Sequence, residues 1–238
     1  MAVFVLVHGS YGSGWSWGRV AARLRAAGHD VSAPTLTGLG ERAHLASAEL
    51  GLGTHIADVV GVLEYDDQHD LVQVGWSYGG MVVAGAADRV PERLAHVVHL
   101  DAYCPRDGQS AADQQPPAYR AAHEERLRAG VWLAPVPTGA GLTRFVEAGW
   151  LSATEAQAIT ARYRPNPIKP LLEPLRLTNP AAVAVPRTYV YCRQNTGDAA
   201  QAAALRARPD WGYRELDAPH LAPFTHPSEV AALLEAIA

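Results

Sequence analysis

Val72-Gln73-Val74-Gly75-Trp76-Ser77-Tyr78-Gly79-Gly80 decides the fold of this chain. An aliphatic run ends in G-x-S-x-G, a second glycine follows, and the apolar run Met81-Val82-Val83-Ala84 comes next. Strand, tight turn and helix are written in that order. A serine on so sharp a turn sits in a strained backbone conformation, and side chains two residues to either side would clash. That explains Gly75 and Gly79. The turn lifts the Ser77 hydroxyl at the carboxyl end of its strand, with a helix N-terminus beneath it.

Outward from this turn the chain alternates between strand and helix. Residues 3–7 form a continuous apolar run, the mark of a strand buried on both faces. Trp17, Val20, Ala21, Leu24 and Ala27 recur at helical spacing until Gly28. Val31 to Pro34 is a second strand, and 54–65 carries Ile56, Val59, Val60 and Leu63 on one helical face. Residues 71–74 are the strand before Ser77, 79–88 the helix after it, and 94–100 the next strand. Such alternation with short connections implies an α/β fold, a mostly parallel sheet with helices on both faces. From Pro105 to Pro186 the texture changes to many prolines, with helical patches at 118–129 and 152–163. The sheet resumes at 188–191. A helix at 198–207, a strand at 213–216 and a helix at 228–237 complete the chain. The expected division is a core of 1–104 and 187–238 with an inserted helical cap of 105–186.

The 238 residues suffice for one such domain. With 48% apolar and 18% charged residues the chain is too apolar for disorder. A net charge of −4 without a basic stripe argues against nucleic acid. No apolar stretch approaches the roughly 20 residues of a membrane helix. The N-terminus reads as a first core strand and not as a signal peptide. Cys104 and Cys192 read as buried thiols, which fits a cytoplasmic protein. Oligomeric state is open, a homodimer included.

The Ser77 turn is how an α/β-hydrolase presents its nucleophile. A serine hydroxyl needs a base within hydrogen-bond reach, and the base needs a third group to orient it. In this fold the chain order is Ser, acid, His, the His following the last strand. His220 fits. His226, just before Pro227, reads as part of the last helix's cap. His29, His44, His55, His69 and His123 lie in polar surroundings and read as surface residues; His96 and His99 read as packed. The acid has three readings. Asp101 ends the strand 94–100, where an ionised carboxylate needs a partner. Asp198 lies in the loop after 188–191, and its simplest reading is a helix N-cap. The third reading is a Ser-His dyad assisted by Asn195. The oxyanion donors are the amides of Tyr78 and Ser10, with His8 bonding to backbone in its own loop.

Phe4-Val-Leu-Val-His-Gly-Ser10, Gly14-Trp-Ser-Trp17, Ala27-Gly-His-Asp-Val31 and Val74-Gly-Trp-Ser-Tyr-Gly-Gly-Met81 resemble the hydroxynitrile lyase and plant methylesterase branch of the α/β-hydrolases. Thr35-Leu-Thr-Gly-Leu-Gly-Glu-Arg42 is similar to its bacterial esterase members. The resemblance covers about residues 3–110 and 186–238. It implies Ser77 as nucleophile, His220 as base, and Ser10 and Tyr78 as oxyanion donors. Cyanohydrin-cleaving members have Thr after the first-loop His and Lys after the catalytic His. Here Gly9 and Leu221 stand there, which favours hydrolysis of a small-molecule ester without cofactor or metal. Trp76 replaces the usual His before the serine, and the usual acid position lacks a carboxylate. Trp76, Tyr78, Tyr103, Trp132, Phe145 and Trp150 are candidates for an aromatic pocket, with core packing as the alternative. The empty acid position also keeps open a non-hydrolytic lyase or cyclase, or a ligand-binding protein with a degenerate site.

Overall fold

The computed structural model describes residues 1–137 and 140–238. In chain order the first half runs β1 (Val3–Val7), α1 (Gly18–Ala26), β2 (Asp30–Ser32), α2 (Leu52–Tyr65), β3 (Leu71–Trp76), α3 (Gly79–Arg89) and β4 (Leu94–Leu100). An insertion follows, with α4 (Pro117–Arg128), β5 (Leu133–Ala134), α5 (Ala140–Glu147), α6 (Ala153–Arg162), β6 (Asn166–Pro167) and α7 (Lys169–Leu172). The last part is β7 (Arg187–Cys192), α8 (Ala199–Arg206), β8 (Gly212–Leu216), α9 (Ala222–Thr225) and α10 (Pro227–Glu235).

Six strands form one sheet in the order β2-β1-β3-β4-β7-β8. Every neighbouring pair in it is parallel. Successive side chains point to opposite faces of a strand, so a sheet covered on both sides needs apolar residues at nearly every position. Phe4, Leu6, Val72, Val74 and Trp76 join a core on one face with Trp17, Leu24 and Leu234. Val5, Val7 and Leu71 join the core on the other face with Ile56, Val59 and Met81. Burying each such side chain contributes about 1.5–3 kcal/mol before the cost of ordering the chain.

The register aligns the strand ends. Val7 pairs with Gly75, Trp76 with Leu100, Leu100 with Val190 and Cys192 with Leu216. Ser77, Asp101, the loop after β7 and the loop after β8 therefore emerge along one edge. In open α/β sheets that carboxyl edge is where ligands bind.

The insertion supplies no strand to this sheet among the described residues; β5 and β6 pair with each other, antiparallel. Its helices α4 and α6 match the two expected patches within a residue. The apolar spacing of Leu142, Phe145 and Val146 builds α5, which the proline-rich texture obscures in the sequence. A capping box starts α6: Ser152 Oγ accepts from the Glu155 N–H at 3.1 Å, and Glu155 Oε2 accepts from the Ser152 N–H at 2.8 Å. Glu155 also receives Arg19 of α1 at 2.6 Å, which ties the insertion to the core. No described helix is long and apolar enough to cross a membrane.

Candidate active site

Ser77 occupies the turn between β3 and α3 with φ of +55°. This left-handed conformation is strained for a residue with a side chain, and such strain gathers at functional sites. The flanking glycines are sterically required. A Cβ on Gly75 would lie 2.6 Å from the Gly79 carbonyl oxygen, and one on Gly79 would lie 2.5 Å from that of Val7. The turn is held further by the Tyr103 N–H, which donates to the Ser77 carbonyl at 3.1 Å.

Asp101 ends β4 in the same way, with φ of +45°. Its carboxylate is buried yet carries three bonds. Oδ1 accepts from the Cys192 N–H at 3.2 Å. Oδ2 lies 2.6 Å from His220 Nδ1 and accepts from Asn195 Nδ2 at 2.7 Å. Full pairing is what makes a buried charge tolerable at that strand end. His220 is held from a second side. Its carbonyl accepts from the Trp76 indole at 2.8 Å, and the Trp76 and His220 rings lie 5.6 Å apart. With Nδ1 occupied by Asp101, Nε2 is the nitrogen left for chemistry.

Two chambers meet here. Ser77, Tyr103, Arg144 and His220 line both of them. One continues past Asp101, Asn195 and Asp198. The other continues along Ser10, Trp76, Phe145, Tyr163 and Leu221. The structure thus brings together Ser77, His220, Asp101, Asp198, Ser10, Trp76 and Tyr103. Trp132 lines neither chamber; its carbonyl accepts from the Ile168 N–H at 3.0 Å beside the small β5–β6 ribbon. The Tyr78 ring is buried away from the chambers against His55, although its backbone sits on the turn itself. Asp198 stands at the N-cap position of α8, but its side chain makes no cap bond. Arg144, Tyr11, Tyr119 and Tyr163 are wall residues that the sequence left unmarked. The first belongs to α5, whose apolar spacing was the available signal.

Of the histidines expected at the surface, two are buried. His55 bonds the Tyr78 hydroxyl at 2.8 Å and the Thr37 carbonyl at 2.9 Å. It immediately precedes Ile56 on the apolar face of α2, so helix periodicity outweighs its polar neighbours. His123 bonds the Tyr119 carbonyl at 2.8 Å and lies against that ring, the centroids 4.3 Å apart. His8 is buried and bonds the Gly9 carbonyl at 2.7 Å through Nδ1; its Nε2 accepts from the Leu36 N–H at 3.1 Å. The His226 ring bonds its neighbour Thr225 at 2.8 Å, and the residue is the N-cap of α10.

Burial holds His8, His55 and His99 neutral, lowering each from 6.5 to about 4. Between those values the unfolded chain takes up protons that the folded chain refuses. Stability is therefore full above pH 6.5 and falls as pH drops toward 4. Each ring costs about 2–3 kcal/mol at pH 4.5. The melting temperature should fall steeply between pH 7 and 4.5; a flat profile would contradict this assignment of neutral, buried rings.

Comparison with known proteins agrees with this architecture. A model of the alpha/beta hydrolase family matches residues 4–233. The chain is 36% identical over 192 residues to a carbendazim hydrolyzing esterase of Nocardioides sp. (strain SG-4G), covering 80% of this chain and 79% of that one. It is 31% identical over 103 residues to the alpha-hydroxynitrile lyase of Arabidopsis thaliana, covering 43% of this chain and 40% of that one. Among solved structures it is similar to an extracellular alpha/beta-hydrolase from a Paenibacillus species described as homologous to tobacco salicylic acid binding protein 2. That match has a TM-score of 0.84 at 26% identity, over 99% of this chain and 98% of the other. With Ser77 on its strained turn and the paired carboxylate and imidazole beside it, the chain belongs to the alpha/beta hydrolase family.

Proposed function

We propose that this chain hydrolyses small carboxylic esters through an acyl-enzyme on Ser77. One observation carries the reading: the 2.6 Å contact between His220 Nδ1 and Asp101 Oδ2, beside the cavity that Ser77 enters. His220 Nε2 takes the Ser77 proton as Oγ attacks the ester carbonyl. The charge that develops on the carbonyl oxygen falls to the Tyr78 and Ser10 amides, for which no acceptor is found among the described residues. Asp101 stabilises the imidazolium. As the carbon–oxygen bond breaks, His220 returns the proton to the departing alcohol. Water, deprotonated by His220, then releases the acid and frees Ser77.

The acid assignment follows from the same contact. Asp101 is the residue that orients His220, which removes the motive for a non-hydrolytic reading based on an empty acid position. Leu221 lies in the chamber wall where the lyase-like members would carry a cation. Trp76, Tyr103 and Phe145 suit an apolar or aromatic substituent. The insertion, residues 105–186, serves as a cap that carries Phe145 and Tyr163 over the serine. The similarity to a carbendazim hydrolyzing esterase supports hydrolysis of a small molecule at this site. The thiols Cys104 and Cys192 are both unpaired, in keeping with the cytoplasm.

A paired assay separates the two chemistries. Incubation with p-nitrophenyl acetate and with methyl benzoate should release acid, and mandelonitrile should release no cyanide. Cyanide release without ester turnover would contradict the reading.

A further inference from the structure

Asp198 opens α8, yet capping does not explain its carboxylate, because the side chain makes no bond to the first turn of the helix. It turns to the cavity instead, where Oδ2 accepts from Asn195 Nδ2 at 2.8 Å. The same nitrogen donates to Asp101 Oδ2 at 2.7 Å and lies 3.5 Å from His220 Nδ1. Asp101, Asp198 and His220 present atoms that all lie within 4.8 Å of one another. An amide nitrogen has two hydrogens, and two carboxylates use both. The opposite orientation would set the amide oxygen against two carboxylates, so the pair of acids dictates which way Asn195 faces.

We propose that Asp198, acting through Asn195, is a positioning residue for ester cleavage: it locks the amide toward Asp101 and adds a second negative charge beside His220. This rests on the reading of Ser77 and His220 as the hydrolytic pair. Without Asp198 the Asn195 amide can turn its oxygen to the His220 Nδ1–H and displace Asp101 as acceptor. With Asp198 ionised, the imidazolium of the transition state faces two carboxylates. Burial, and next the charge of Asp101, raise the Asp198 carboxyl above its usual range, while His220 pulls it back. The other groups that face it are Tyr103 and Cys104 after β4 and Tyr189, Tyr191 and Cys192 on β7, which are neutral at pH 7 and which burial shifts further upward. Arg144 faces the same chamber from α5.

The test is the pH dependence of kcat/KM for p-nitrophenyl acetate in Asp198→Asn, with Asp198→Ser as the second variant should the first not fold. Active sites are counted by fluorophosphonate uptake. Removing a negative charge beside His220 weakens the stabilisation of the imidazolium that forms during ester cleavage. The acid limb should therefore move about half to one pH unit lower. Turnover should fall about three- to tenfold with KM within about twofold, and Asp198→Glu should restore the native limb. A simple loss of packing would lower activity without moving the limb. An unmoved limb in the folded variant, with turnover native or lowered, would overturn the proposal, while ester cleavage and labelling of the native protein would leave the esterase reading standing. Failure of the native protein to cleave the ester or take up the probe would overturn both.

Discussion

Ser77→Ala should lower kcat for p-nitrophenyl acetate by on the order of 10⁴-fold or more, with KM within about threefold. In the proposed mechanism the oxygen removed is the one that forms the acyl bond; the Tyr103 hydroxyl lies in the same cavity wall, but burial pushes its pKa up, away from the range of a ready nucleophile. The variant should fold. Alanine keeps the backbone of the turn, and the Ser77 hydroxyl takes no part in the bonds that hold it, which run through main-chain atoms of Gly80, Leu100 and Tyr103. The φ of +55° suits alanine no better than serine. The melting temperature should therefore change by at most a few degrees, and the loss is read as chemistry.

Asp101→Asn should lower kcat by on the order of 10³-fold at neutral pH. The substitution keeps the volume of the side chain, and asparagine tolerates the φ of +45° at the end of β4 better than most residues. What changes is the acceptor at His220 Nδ1. An amide that turns its NH₂ to that nitrogen selects the tautomer with the proton on Nε2, and such a ring cannot accept the Ser77 proton. An amide that turns its oxygen there keeps the tautomer but supplies no negative charge for the imidazolium. Asn195 then faces an amide in place of a carboxylate at 2.7 Å, so its own bond is lost or weakened. Stopped assays at matched active-site concentration, with the melting curve recorded alongside, check this. Activity within threefold of native would remove Asp101 from the mechanism.

Much of this site was legible in the sequence because its signals are local. The glycines around Ser77, the apolar run before it and the position of His220 after β8 are short-range patterns that backbone sterics and strand order enforce. Asp101 was legible for a different reason: an acid at the end of a buried strand needs a partner, and His220 was a partner of the right chemistry. Asn195 is legible as support for a Ser-His dyad, but its bridge between two carboxylates is not. That bridge joins loops after β4, β7 and β8 that are some 20 to 120 positions apart, and nothing in Cys192-Arg-Gln-Asn-Thr-Gly-Asp198 reveals which of its polar groups turns inward. His55 and Trp132 misled in opposite directions. Neighbouring polarity suggested exposure for His55, while the α2 periodicity that buries it was present in the same residues. Trp132 reads from the sequence as a pocket wall or as core packing, and it is absent from the walls of both chambers.

The pairing of Ser77 and Asp101 has a physical logic of its own. Both are non-glycine residues in the left-handed region at the ends of adjacent strands. The cost of each, of order 1–3 kcal/mol, is offset by the surrounding core, which fixes the backbone at those positions. Strand register then sets the spacing of the two side chains more rigidly than a loop could. His220, on a loop, depends on Trp76 and Asp101 to hold it.

The central claim is that Ser77 carries the acyl group, and labelling tests it most directly. The folded protein is treated with a fluorophosphonate, and the intact mass is followed by peptide mapping. One adduct per chain, located on Ser77 and formed in step with loss of esterase activity, is the expected result. An active enzyme that takes up no adduct, or an adduct on another residue that abolishes activity, would contradict it.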